Sequence, residues 1–116
     1  MELDGARVSK AELELAGKRC LALMLELPNA CILLLSEGRL ALGTLAIAMP
    51  PGPLTPSSTC VLGQRHSTLV RMLAERLATL KGKIALVSLR AEGPEAEVGA
   101  RAIALFKEIL EEGGRS

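Results

Sequence analysis

Between residues 12 and 48 the chain is cut into short apolar runs by turns too brief for any crossover, and this spacing constrains the fold more than any other feature. Glu12-Leu13-Glu14-Leu15 alternates polar and apolar residues, the period of a half-exposed strand. After Ala16-Gly17-Lys18, residues 20–27 resume as a nearly all-apolar strand. Leu21, Leu23, Leu25 and Leu27 share one face, and Cys20, Ala22, Met24 and Glu26 take the other. Pro28-Asn29 turns the chain into a strand over 30–36, and Glu37-Gly38 into another over 40–48. Parallel pairing needs crossovers of about a dozen residues, so these four strands are expected to form an antiparallel meander. Large side chains on one face of residues 20–27 and smaller ones on the other predict a sheet covered on both sides.

Residues 49–56 contain four of the six prolines. Proline supplies no backbone donor, so this segment is a loop or an edge. A fifth strand follows over 57–62 and stops at Gly63. From Ser67 the period changes: Leu69, Leu73, Leu77 and Leu80 recur at helical spacing, with Val70 and Ala74 alongside and Arg71, Glu75 and Thr79 opposite. Ser67 is the expected N-cap and Gly82 the C-terminal stop. Residues 83–89 form a sixth strand. Pro94 opens a second helix, with Glu95 and Glu97 near the positive end of its dipole, a buried stripe of Val98, Ala102, Leu105, Phe106 and Ile109, and Gly113-Gly114 as its end. Gly99 inside this helix costs ~1 kcal/mol relative to Ala, which predicts close approach of another backbone. The expected fold is α+β: one six-stranded, mainly antiparallel sheet with two packed helices, in the order βββββ-α-β-α, in a single domain over 1–116.

Composition narrows the function. Hydrophobic residues make up 49% and charged residues 23% of the 116, so the chain has the makings of a globular core. A net charge of +1 gives no general pull toward nucleic acid or acidic lipid. One Phe and no Trp or Tyr leave no platform for base stacking, so no nucleic-acid partner is expected. The longest apolar window, 20–35, is broken by Glu26, Pro28 and Asn29, which excludes a spanning helix of roughly 20 apolar residues. Residues 1–10 lack the apolar core of a signal peptide. Cys20, Cys31 and Cys60 form no CxxC pair and are odd in number, as suits reduced structural thiols. The expectation is a cytoplasmic protein without membrane attachment.

Catalytic groups are scarce. His66, the sole histidine, lies in the polar connection before the first helix and reads as a solvent-exposed loop residue. Residues 38–43 have the G-x4-G spacing of a phosphate loop but lack its lysine and read as strand. No GxSxG or HExxH occurs. Glu12 and Glu14 are most simply the solvated side of an edge strand. Glu108, Glu111 and Glu112 crowd the negative end of the last helix, where they have no stabilising reason; with Arg65 they are candidates for contact with a partner. No catalytic, metal or cofactor site is expected.

The segment Leu42-Gly43-Thr44-Leu45-Ala46-Ile47-Ala48-Met49 and the unit Ser58-Thr59-Cys60-Val61-Leu62-Gly63 are followed by the helix carrying Leu73-Ala74-Glu75-Arg76-Leu77-Ala78 and by the strand over 84–89. In this order and spacing they resemble the proteasome assembly chaperones of the third and fourth types, the fourth more closely. The resemblance implies a six-stranded antiparallel sheet with helices packed on it and no enzymatic activity. It also implies pairing as a homodimer or as a heterodimer with a related chaperone subunit, and binding to proteasome α-subunits during assembly of the 20S α-ring. The matching residues Gly43, Ala46, Ala48, Met49, Ser58, Thr59, Leu62 and Gly63 have a structural character: Gly43 a position of close approach, Gly63 the stop before the helix. A reading from another class is a homodimeric roadblock- or longin-like scaffold regulating a small GTPase. Such domains usually place a helix before or between the early strands, whereas four strands precede any helix here.

Overall fold

Backbone ladders turn the alternating runs into a sheet in the computed structural model, which describes residues 2–50, 52 and 57–114. The strands are β1 (Glu2–Leu3), β2 (Ala6–Leu15), β3 (Lys18–Glu26), β4 (Ala30–Glu37), β5 (Thr44–Ala48), β6 (Ser58–Leu62) and β7 (Ile84–Arg90), with helices α1 (Ser67–Lys81) and α2 (Glu95–Gly114). The class is α+β, and the sheet has six full strands plus the two-residue β1, in the order β1-β2-β3-β4-β7-β5-β6. Every pairing is antiparallel except β4 with β7.

Two-residue turns set the first registers. Leu3 faces Ala6 across Asp4-Gly5, and Leu15 faces Lys18 across Ala16-Gly17. All four turn residues have positive φ (50°, 86°, 53° and 77°), the conformation whose twist matches a hairpin. β2 extends six residues upstream of the expected start at Glu12.

The four-strand meander stops at three. β2, β3 and β4 pair in sequence, but β7 is inserted between β4 and β5 and runs parallel to β4. Strand neighbours are about 4.8 Å apart, so skipping one position needs only ~10 Å, well within reach of residues 38–43. Those residues cross the end of β7, where the Gly43 N–H donates to Ser88 Oγ at 2.8 Å. A Cβ on Gly43 would overlap the Leu89 carbonyl and lie 2.7 Å from Arg90 Cα.

Both helices lie on one face of the sheet, not on two. α1 packs on β5, β6 and β7, and α2 on β2 and β3. The core beneath them is built from the small-residue face: Cys20, Ala22, Met24, Cys31, Leu33, Leu35, Ala46, Ala48, Ala85 and Val87 meet Leu69, Val70, Leu73, Leu77, Val98, Leu105, Phe106 and Ile109. Small side chains let the helices approach closely, which is why this face is the covered one.

The start of α1 departs from expectation. The N-cap of α1 is His66 (φ 58°, ψ 30°), with no side-chain cap bond, and Ser67 is already helical. His66 is half-buried, and its Nε2 is inaccessible and without a hydrogen-bond partner, so it is not an exposed loop residue. Gly82 caps α1 in the left-handed region, its N–H donating to Ala78 O. α2 reaches Gly113-Gly114, where the described residues end. No atom lies within 4 Å of where a Gly99 Cβ would be, so close approach does not explain that glycine.

Candidate functional site

The odd-numbered leucines of β3 point away from both helices, and the register continues their rows across the sheet. Val8, Leu25, Ile32, Leu86 and Ile47 form one row. Lys10, Leu23, Leu34, Ser88 and Leu45 form the next. The large apolar members of both rows are only partly buried, and no helix covers them. Leu40 (45% exposed) adds to the same side from the connection after β4, beside Leu21 and Leu23. Monomers rarely expose contiguous apolar patches beyond a few hundred Å², and larger ones mark interaction surfaces. The face can exclude water against an apolar partner.

This surface was half legible. Leu21, Leu23 and Leu25 already share a face in the sequence, but Ile32, Leu34, Leu45, Ile47 and Leu86 join them only through register. The available signal was a run of β-branched and leucine side chains alternating with Ala and Cys in four separate strands.

The residues singled out from the sequence are spread over the fold. Ala46 and Ala48 are fully buried under α1, while Met49 is 47% exposed just beyond β5. Ser58 donates from Oγ to the Glu75 carboxylate and accepts from Arg71 Nε at 3.2 Å, tying β6 to α1. Thr59 is exposed opposite Ile47, and Leu62 is exposed opposite Leu45. Gly63 (φ 77°) sits against Thr44, where a Cβ would come 2.8 Å from Oγ1. Most of the proline-rich loop, positions 51 and 53–56, lies outside the described residues.

The four charged candidates do not form one surface. Arg65 follows Gly63 at the Thr44 end of the strands. Glu108, Glu111 and Glu112 lie at the other end, where Arg7 Nη2 donates to Gly113 O at 2.5 Å. Glu12 accepts from Arg19 Nε at 2.9 Å on the exposed side of β2.

Electrostatic ties hold the strand ends. Glu26 accepts from Lys81 Nζ at 3.1 Å and Lys83 Nζ at 3.0 Å, joining β3 to the end of α1 and the start of β7. Burial pushes the Glu26 carboxyl up, but the Lys83 and Lys81 hydrogen bonds outweigh it and hold the group below its ordinary value. Glu37 is the counterpart at the opposite end. Its Oε2 accepts from the buried Arg101 at 2.6 Å, and its Oε1 lies 3.9 Å from Lys18 Nζ. The Cys31 thiol is pushed up to about 11 by burial and by the nearby Glu26 charge. Among the described residues no group of three or more His, Cys, Asp or Glu is placed to hold a metal ion. Among the described residues no helix is long and apolar enough to cross a membrane.

No family model matches the chain, and no curated protein matches it in sequence. Among solved structures it is similar to a chain of a chaperone complex for yeast 20S proteasome assembly, with a TM-score of 0.69 and 11% identity. The superposition covers 92% of this chain and 94% of that one. The two chains share a fold. At this identity the likeness concerns the arrangement of the backbone alone.

Proposed function

We propose that this protein is a non-catalytic assembly chaperone that binds proteasome α-subunits and promotes formation of the 20S α-ring while paired with a second copy or a related chaperone subunit. The observation that carries the reading is the fold shared over nearly the whole of both chains with a member of a proteasome assembly chaperone complex. The segment from Leu42 to Gly63, which resembles the fourth type of these chaperones, supplies independent support from sequence.

The outer sheet face supplies the means of pairing. Two rows of aliphatic side chains on a sheet present a shallow surface that a second sheet of the same kind fits, with interdigitating side chains about 10 Å apart between sheets. A pair joined this way turns two half-covered sheets into a sandwich with helices outside. A standard interface takes about 800 Å² from each partner, the scale that one face of a six-stranded sheet supplies. Acting as a scaffold then requires differential affinity: the pair binds an assembly intermediate and is absent from the finished particle.

The test is reconstitution with α-subunits of the same organism. A defined complex, with a changed rate or fidelity of α-ring formation and no chaperone in completed particles, is the expected result. If no α-subunit binds at low salt, where charged contacts are least screened, the assignment fails. A small GTPase recovered instead would favour the roadblock-like scaffold.

A further inference from the structure

The central parallel pair creates a feature that the antiparallel remainder lacks. β4 and β7 end side by side, and their continuations diverge. Residues 38–43 carry the chain across β7 toward β5, and residues 91–94 carry it back toward α2 on β2 and β3. Such a divergence opens a crevice at the carboxyl ends of two parallel strands, the place where open sheets commonly bind ligands. Here it is a cleft of about 440 Å³ lined by Lys18, Arg19, Glu37, Arg39, Arg90 and Glu92.

The charges in the cleft are not balanced: four cations, Lys18, Arg19, Arg39 and Arg90, stand against two carboxylates, Glu37 and Glu92. Glu37 has both carboxylate oxygens turned to other tasks, one on the buried Arg101 and one toward Lys18. Arg19 is occupied by Glu12. Among the described residues Arg39 and Arg90 have no carboxylate partner. Arg90 is nevertheless held in place, donating from Nη1 to the Glu37 carbonyl at 3.0 Å, which leaves its other donors and its full charge for a ligand. The residue beside Arg39 is Gly38, at which no atom lies within 4 Å of an added Cβ. The wall of the cleft is therefore open there.

We infer that this cleft is a binding site for a carboxylate-rich segment of a protein partner, with Arg39 and Arg90 as the residues that grip it. Guanidinium groups bind carboxylates through two parallel hydrogen bonds, and a fixed guanidinium loses less freedom in doing so. The cleft is open along one side and, at about 440 Å³, larger than a single small anion, which suits two or more carboxylates presented in succession by an extended loop or tail. This inference rests on the chain being a protein-binding scaffold, and it names the chemistry of one partner contact.

A hexaglutamate peptide titrated into the 15N-labelled protein tests the site without requiring any proteasome subunit. The expected result is saturable shifts at the backbone amides of Gly38, Arg39, Ala91 and Glu92. The Arg39→Glu/Arg90→Glu variant should weaken that binding at least about tenfold, while Lys107→Glu, at an exposed position on α2 outside the cleft, leaves it unchanged. Shifts centred elsewhere, or equal affinity in the double variant, overturn the proposal. So does tighter binding of inorganic pyrophosphate than of the peptide, since that outcome makes the cleft a small-anion site. Amide spectra outside the cleft report whether the double variant is folded. Because the probe is a peptide, failure here leaves the α-subunit reading intact, and failure of the reconstitution leaves this result standing.

Discussion

Replacing Leu34 with Glu tests the pairing surface where it is most exposed to refutation. Leu34 lies on β4, in register with Leu23 on one side and Ser88 on the other, and faces away from both helices. It is partly buried in the single chain. Full burial of a leucine stabilises by about 1.5–3 kcal/mol, so the share left for an interface is ~1 kcal/mol. Two-fold symmetry doubles it, and Leu34→Ala should weaken pairing by ~2 kcal/mol, roughly 30-fold in Kd. A carboxylate is worse, since the effective penalty for each desolvated ion is several kcal/mol. Leu34→Glu should therefore weaken pairing by about three orders of magnitude or more. The helix-covered core is untouched, so thermal melts of the variant under dissociating conditions should match the wild type within about 1 kcal/mol. Sedimentation velocity over a dilution series reads the effect, with Thr68→Glu on the exposed side of α1 as control. If the wild type pairs only with a related subunit, the co-expressed complex is measured instead. Identical mass distributions for wild type and Leu34→Glu, alone and co-expressed, would show that the outer face is not the pairing surface.

Gly99→Ala should raise stability by about 1 kcal/mol in urea unfolding, because the site is helical and unobstructed; a loss of stability would point to a contact at that position. Glu26→Gln should lower stability at neutral pH and flatten its decline in acid. The folded carboxyl is held below its ordinary value near 4.5, so its contribution is present above that value and is lost as pH falls through the folded pKa; an unchanged acid slope would refute the coupling. Iodoacetamide at pH 8 should modify Cys60 first and leave Cys20 and Cys31 unreacted until the chain unfolds, since burial raises both thiols and removes them from solvent; mass spectrometry of the labelled peptides decides.

Much of the fold was written in local periodicity. The leucines of α1 and the left-handed stop at Gly82 needed only helical spacing, and β3 and β4 needed only alternation between short turns. Leu80 followed the same period yet is half-exposed, because the stripe drifts off the sheet toward the groove beside Ile103. The first half of β2 was hidden because Arg7 and Ser9 occupy its helix-facing positions, where apolar residues would have signalled a strand. The place of β7 could not be read locally. Ile84-Ala85-Leu86-Val87 is apolar on both faces, which marks a central strand without naming its neighbours. The uncovered face was misread for a related reason: bulk on one side of residues 20–27 says that something must cover it, not that the same chain does. The basic cleft is assembled from Lys18, Arg39 and Arg90: the antiparallel pairing of β3 with β4 brings the first two together, and Arg90 joins them only because β7 runs parallel to β4.

The last helix has a consequence for how the molecule comes apart. Up to Glu37 the chain builds one hairpin-linked portion of the sheet; from Thr44 to Arg90 it builds another around α1. Yet α2, which follows directly from the second portion, roofs β2 and β3 of the first. Each portion therefore lacks something held by the other, as two hooked fingers do. Neither has a finished interior alone, and until residues 95–114 dock, the first hairpin is bare on both sides. Hydrogen exchange should find no separate softening of the two portions, only one opening whose latch is the C-terminal helix.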